Sequence, residues 1–188
     1  MYIKNCLIAA LCLVSPSLYA HTGGSIDHSL AGGLLHPLTG IDHLLVLLAV
    51  GMIAVKQGGK FMFALPVVFL ALMATGAFLN ALGVQIPFVE SFIAVSLLVF
   101  GLLVSLNQQQ RSKILFLGAS FFAIFHGYVH AAEIPAESSA VLYFSALMLM
   151  SLAICLAGCI LGLSAGKRIN YLFSLVCLSS GWYFLLAA

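Results

Sequence analysis

One segment organises this sequence, His36-Pro37-Leu38-Thr39-Gly40-Ile41-Asp42-His43-Leu44-Leu45. It places two imidazoles and a carboxylate where a long apolar helix begins, in a chain with only 6% charged residues. Ionisable side chains at the mouth of a membrane helix cost free energy, because water solvates them poorly there. A chain that accepts this cost three times within eight residues is expected to use those groups.

The composition of the whole chain is that of a membrane protein. Of its 188 residues, 63% are hydrophobic and 6% are charged, whereas a soluble domain has about 25% charged residues. The lipid bilayer is therefore the predicted environment. The basic residues are scattered along the chain, so no binding surface for nucleic acid is predicted. The length allows one compact bundle of membrane helices and no separate soluble domain.

Residues 1–20 have the organisation of a secretory signal peptide. Lys4 supplies a positive charge, residues 6–14 form a short apolar core, and Ala20 closes a small-residue end. An uncleaved first span is the alternative, but the apolar run is too short to cross a bilayer comfortably. Cleavage after Ala20 would leave a mature chain, residues 21–188, that begins outside the cytoplasm.

Six apolar segments follow a Gly-rich stretch, residues 21–35, which is too polar to span and predicts a short periplasmic tail. No alternating strand pattern appears, and each segment is near the ~20 residues that cross hydrocarbon as a helix. The predicted fold is all-α, a single polytopic domain of six transmembrane helices. The predicted segments are residues 36–55, 61–80, 87–106, 113–132, 138–163 and 169–187.

The basic residues predict the orientation. All six Lys and Arg residues of the mature chain lie in the first, third and fifth loops, and the second and fourth loops contain none. The positive-inside rule places the basic loops in the cytoplasm, which agrees with a cleaved signal peptide. We therefore predict a multi-pass protein of the inner (cytoplasmic) membrane with both mature termini in the periplasm.

A second group of metal-ligand residues ends the fourth apolar segment, Phe125-His126-Gly127-Tyr128-Val129-His130-Ala131-Ala132-Glu133. At 100° per residue, His126, His130 and Glu133 lie within roughly 60° of one another on one helix face. An i, i+4 pair of histidines is a common metal chelate on a single helix. This group is therefore a predicted metal site at the external end of the fourth span.

The first group has a similar arrangement. His36 and His43 are seven residues apart, so they share a face if the helix is continuous, with Pro37 suited to its first turn. Asp42 points about 100° away from His43 and could either bind metal or orient an imidazole. Small residues predict a close approach of the first and fourth spans: Gly40, Gly127 and Ala131.

All of these groups lie on the external side in the predicted topology. The predicted metal ligands are His36, Asp42, His43, His126, His130 and Glu133 at the membrane, with His21 and His28 in the tail. Imidazoles and carboxylates form a set that suits nickel, cobalt, zinc or copper(II), and not calcium or magnesium. A single membrane histidine often only hydrogen-bonds across a helix interface. Six histidines gathered on one side beside carboxylates favour a metal site instead.

Signal cleavage would give His21 a further role. A free α-amino group and the imidazole of the same residue can chelate one metal in a compact ring. The flexible residues 22–25 could deliver this pair towards Asp27, His28 and the membrane site. The alternative is that His21 is merely the residue that follows the cleavage site.

The first motif, His-Pro-x-x-Gly-x-Asp-His-x-Leu, resembles the signature of the HupE/UreJ family. The second motif is similar to that family's Phe-His-Gly-x-x-His-Gly-x-Glu-x-Pro, with Tyr128 where another His is frequent and Ala131 in place of a Gly. The resemblance covers the whole chain. It implies a small bacterial membrane protein associated with hydrogenase or urease and regarded as a nickel or cobalt permease. Tyr128 and Ala131 are the positions at which ion preference can differ from that of better-known members.

The sequence thus predicts a permease, not an enzyme, that admits nickel, or alternatively cobalt, and needs no cofactor of its own. No acidic residue lies in the cytoplasmic half of a predicted span, which favours passive entry and trapping by cytoplasmic metallochaperones. Two other classes fit less of the pattern. One is an intramembrane zinc hydrolase that holds zinc through His126, His130 and His43. The other is a haem-binding electron carrier with paired axial imidazoles.

Overall fold

The computed structural model describes residues 25–106 and 112–187. Within these ranges the chain is all-helical and contains no strand, as expected of apolar segments that satisfy their backbone groups internally. The seven helices of the described ranges are α1 (Ser25–Thr39), α2 (Ile41–Gln57), α3 (Phe61–Ala81), α4 (Val89–Ser105), α5 (Ser112–Ala132), α6 (Ala140–Ser164) and α7 (Lys167–Ala187). The predicted signal peptide and His21 lie outside the described residues, and so does the side chain of His28.

Five of the six predicted segments match helices α3 to α7 within two residues at either end. The first prediction is wrong at its start, because α2 begins at Ile41 and His36 lies in the last turn of the preceding helix. Much of the predicted polar tail is likewise helical, from Ser25 onward. Gly40 separates α1 from α2 in an extended conformation, with φ −78° and ψ 101°, and the two helix axes differ by 76°.

Helix α1 exists because of tertiary contacts that its Gly-rich sequence does not reveal. Gly33 packs against the backbone of Tyr143 on α6 so closely that a Cβ would overlap the Tyr143 carbonyl oxygen. The buried Ser29 accepts a hydrogen bond of 2.8 Å from the backbone N–H of Ser139. A helix rich in glycine has low intrinsic stability, so docking on α6 is what stabilises α1.

The described helices include three that are long and apolar enough to cross a membrane, α3, α6 and α7. The bent pair formed by Ser29–Thr39 and Ile41–Gln57 adds a fourth if it counts as one span. Helix α4 and the Phe116–Ala132 part of α5 are apolar but shorter. The described part of the chain therefore has three to four candidate membrane spans by length and composition.

The helices associate in pairs through glycines, with α2 at the centre of the bundle. Helix α2 packs against α6, α3 against α5, and α4 against α7. A Cβ on Gly51 would overlap the Cys155 carbonyl oxygen of α6, and one on Gly127 would overlap the Met73 carbonyl oxygen of α3. Small residues allow such backbone contact between membrane helices. Gly127 thus permits a close approach, as predicted, but its partner is α3 and not the first span.

Candidate metal centre

One end of the bundle gathers four of the chain's six histidines. His36 lies in the last turn of α1, His43 lies in the first turn of α2, and His126 and His130 lie one turn apart near the end of α5. The ring centroids are 4.1 Å apart for His43 and His130, and 5.0 Å apart for both His36–His130 and His43–His126. Two imidazoles that share one metal through bonds of about 2.1 Å have ring centres at comparable separations. The two sequence motifs therefore lie together in space.

The partly exposed His36 and Glu133 lie beside the buried His130, and we call these three residues the outer trio. His36 Nε2 lies 3.0 Å from Glu133 Oε2, and these two side chains are 23% and 45% exposed. One ligand atom from each of the three residues lies within 4.8 Å of the other two. A divalent cation could replace the proton shared by His36 and Glu133 and take His130 as a further ligand.

Asp42 and His43 form a hydrogen-bonded pair at the start of α2. The Nδ1–H of His43 donates to Asp42 Oδ1 at 2.9 Å. An ionised carboxylate can only accept, so His43 is held as the Nδ1–H tautomer with a lone pair on Nε2. Gly40 leaves room for the pair, because a Cβ there would lie 3.2 Å from both bonded atoms. Of the two roles open to Asp42, orienting an imidazole is the one that this geometry displays.

A serine outside both motifs holds His126. Ser96 on α4 donates its hydroxyl to the Ile93 carbonyl at 2.7 Å, and its Oγ lies 2.9 Å from His126 Nε2. A carbonyl oxygen only accepts and a hydroxyl has one proton, so the Nε2–H of His126 donates to Ser96. His126 is therefore the opposite tautomer to His43, with its lone pair on Nδ1. Sequence reasoning missed Ser96, since a serine in an apolar helix commonly bonds only its own backbone.

Several ring nitrogens at the middle of the cluster have no hydrogen-bond partner among the described residues. They are Nε2 of His43 and both ring nitrogens of His130. His43 is 5% exposed and His130 is fully buried. A buried polar atom without a hydrogen bond costs about 1–3 kcal/mol. A bound cation would accept lone pairs from these rings. The side chains present are therefore suitable ligands for a divalent transition metal.

Glu90 approaches the cluster from α4. It lies in the first turn of α4, where the helix dipole stabilises a carboxylate. Together with Asp42 it also lines a cavity of about 180 Å³, whose other walls include Phe184 and Ala187 of α7. The cavity can hold several water molecules, and its two carboxylates favour cations over anions.

Aromatic rings close the side of the cluster next to His126. The Phe69 ring of α3 lies 6.0 Å from that of His126 and 6.2 Å from that of Phe100 on α4. Phe69 and Phe100 are both fully buried in the core. Water is excluded here, and a low dielectric strengthens the electrostatic interactions of any bound cation.

The structure brings together the six predicted membrane ligands: His36, Asp42, His43, His126, His130 and Glu133. The expectation that His36 and His43 share a face of one continuous helix is wrong, because α1 ends before Gly40. The two rings approach across the bend instead, with centroids 6.3 Å apart. The roles of His21 and His28 in the tail stay predictions, since neither side chain is among those described.

Tyr128 faces away from the cluster. Its hydroxyl donates to the Val84 carbonyl at 2.8 Å, in the loop between α3 and α4. Two residues along a helix differ by about 200° in direction, so position 128 leaves α5 nearly opposite to His126 and His130. A histidine at position 128 would point the same way, so Tyr128 leaves the ligands of the cluster unchanged.

Comparison with known proteins supports the resemblance found in the two motifs. The family model described as HupE / UreJ protein matches residues 9–184. The chain is 39% identical over 136 residues to Protein HupE of Rhizobium leguminosarum bv. viciae, an alignment that covers 72% of this chain and 70% of that protein. No solved structure matches the chain. With a family match over most of its length and a relative at this level of identity, the chain belongs to the HupE/UreJ family.

Proposed function

We propose that this chain is a permease that admits a divalent transition metal to the cytoplasm, with nickel as the cargo and cobalt as the alternative. The observation that carries the proposal is the buried imidazole cluster, in which His43 Nε2 and both nitrogens of His130 lack partners among the described residues. Imidazoles with carboxylates suit nickel and cobalt better than calcium or magnesium. The partly exposed outer trio, whose hydrogen bond a metal must first break, favours the weak binding that transport requires.

In the proposed arrangement the chain crosses a bacterial inner membrane six times, with both mature termini in the periplasm. The shorter helix α4 would be accommodated by local thinning of the bilayer. The basic loops support this orientation, because they would all lie in the cytoplasm. A reporter fused after Ala188 should behave as periplasmic and one inserted at Arg111 as cytoplasmic. A cytoplasmic reporter at Ala188 would contradict the arrangement.

The proposed route begins at the outer trio. The metal exchanges water for His36, Glu133 and His130, reaches His43, and continues between α2 and α5 towards the cytoplasm. Entry is passive and driven by the metal gradient, and cytoplasmic metallochaperones remove the metal on the inner side. If the signal peptide is cleaved after Ala20, the new N-terminal His21 acts as a capture ligand ahead of this site.

Uptake of radiolabelled nickel and cobalt into cells with and without the protein tests the proposal. The variant His130→Ala should reduce uptake by at least 10–100-fold, since loss of a supporting partner alone costs about that much. Gln85→Ala, an exposed change in the α3–α4 loop, is the control and should take up metal normally. Both variants should reach the membrane in equal amounts. Normal uptake by His130→Ala would contradict the proposal.

Experiments on the purified protein distinguish the zinc hydrolase from the permease. A permease in lipid vesicles should let nickel or cobalt enter without consuming any lipid. One tightly held zinc together with cleavage of a lipid amide, and no metal flux, would favour the hydrolase.

A further inference from the structure

We propose that Ser96 is a positioning residue, which holds His126 so that its Nδ1 atom receives metal from His43 at the inner end of the cluster. The inference rests on the proposed transport function and concerns a residue outside both histidine motifs. It assigns different tasks to the outer and the inner imidazoles. The outer trio captures the metal, and the pair formed by His43 and His126 passes it on.

The geometry separates the two tasks. Among the described side chains, the outer trio is the group whose three ligand atoms lie within 4.8 Å of one another. His43 stands next to it, with its ring centroid 4.1 Å from that of His130 and 5.0 Å from that of His126. His43 is therefore a ring neighbour of both an outer and an inner imidazole. An ion bound through His43 can exchange one neighbour for the other without leaving the cluster.

Such an exchange requires the correct lone pair on each ring. The Nδ1–H of His43 is bonded to Asp42, so its Nε2 is the atom that can bind metal. The Nε2–H of His126 is bonded to Ser96, so its Nδ1 is the atom that can bind metal. Partners of this kind fix the tautomer and the orientation of metal-binding histidines in other proteins. Asp42 and Ser96 thus serve neighbouring rings in the same way, with opposite tautomers as the result.

Towards His126, the Ser96 hydroxyl acts only as an acceptor. Its single proton is committed to the Ile93 carbonyl at 2.7 Å, so its oxygen faces His126 with lone pairs. Both Ser96 and His126 are buried, at 0% and 2% exposure, so water cannot replace the serine. Without the hydroxyl, the His126 N–H loses its acceptor. The hydrogen bond that fixes the tautomer and the orientation of the ring is then absent.

The test is the dependence of nickel uptake on nickel concentration in Ser96→Ala and Ser96→Thr. Ser96→Ala should lower the maximal rate about tenfold or more and leave the half-saturating concentration unchanged, because the outer trio is intact. Ser96→Thr keeps a hydroxyl at this position and should recover most of the rate. The matched control is Ser151→Ala, which removes a buried hydroxyl of α6 that has no hydrogen-bond partner within the described part of the chain. This control should take up nickel at the parent rate.

The outcomes separate the possibilities. A parental maximal rate in Ser96→Ala would overturn the positioning role while leaving the permease intact. An equal loss of rate in Ser96→Ala and Ser96→Thr, matched by an equal loss of protein from the membrane, would also overturn it in favour of a purely structural serine. If the parent protein takes up neither nickel nor cobalt, the proposed function itself fails, whatever Ser96 does.

A spectroscopic measurement adds a readout that stability does not affect. Purified parent and Ser96→Ala are loaded with cobalt(II), and the number of imidazole ligands is measured by X-ray absorption. With one equivalent of cobalt, both proteins should report the outer trio. With excess cobalt, the parent should report additional imidazole ligation that Ser96→Ala lacks. Identical spectra at every loading would overturn the proposal.

Discussion

The two ends of α2 differ in whether their buried polar side chains have hydrogen-bond partners. At the N-terminal end, Asp42 and His43 are joined by a hydrogen bond, and His43 Nε2 has no partner among the described residues. At the opposite end, the partly buried Lys56 donates a hydrogen bond to the Val104 carbonyl of α4, so its ammonium group has a partner there. Between these ends α2 is almost continuously buried from Leu45 to Ala54.

The difference indicates that the packed part of α2 stabilises the fold and that the histidine cluster destabilises it. Lipid tails are as apolar as leucine, so apolar burial alone stabilises a membrane bundle little, and close backbone packing matters more. Helices α2 and α6 reach that packing at Gly51 and Gly158. The nitrogens of His43 and His130 that have no partner among the described side chains each cost about 1–3 kcal/mol. The packing of α2 therefore offsets the free-energy cost of a cluster whose ring nitrogens remain available to bind a metal.

The largest effect is expected from Gly158→Leu, which disrupts the close packing of α2 against α6. A Cβ at Gly158 would overlap the Leu48 carbonyl of α2, so the two helices must separate, at a cost of about 3 kcal/mol or more. The amount of folded protein in the membrane should fall severely. Gly118→Leu on α5 is the control, because a Cβ at Gly118 meets no atom within 4 Å. Equal accumulation of both variants, measured by immunoblot of membranes, would contradict the proposed role of this contact.

An intermediate effect is expected from Asp42→Ala, which changes only the N-terminal end of α2. His43 loses the acceptor that fixes its tautomer, and such losses typically cost about 10–100-fold in metal affinity. Nickel uptake at limiting nickel should fall by that factor, while the protein accumulates normally. The matched control is Glu137→Ala, an exposed acid in the loop between α5 and α6. If Glu137→Ala lowered uptake as much as Asp42→Ala, general surface charge and not the pairing with His43 would be responsible.

The smallest effect is expected at Tyr128, which belongs to neither end of α2. Tyr128→Phe removes one hydrogen bond to the Val84 carbonyl, worth about 0.5–1.5 kcal/mol, and should lower thermal stability slightly without changing uptake. Tyr128→His should not raise nickel affinity, because this position points away from the cluster. A tighter site in Tyr128→His, measured by equilibrium binding to the purified protein, would disprove that orientation.

Local pattern explains what could be predicted along the chain. Helices α3 to α7 were predicted to within two residues, because a long apolar run in a bilayer has no alternative to a helix. The i, i+4 spacing of His126 and His130 likewise needs only the geometry of a single helix. Such features depend on residues a few positions apart, so they can be read directly from the sequence.

The sequence by itself determined that this chain is helical, apolar and equipped with two histidine motifs of the HupE/UreJ type. Only the tertiary structure decided that the helix breaks at Gly40, that Gly127 packs against α3, and that Ser96 holds His126. The physical reason is that these features depend on the shapes of segments far apart in the chain. His126 and Ser96 are 30 residues apart, and His36 and Glu133 are 97 apart. Local periodicity does not show which of many apolar helix faces are in contact, because packing between distant segments decides those contacts.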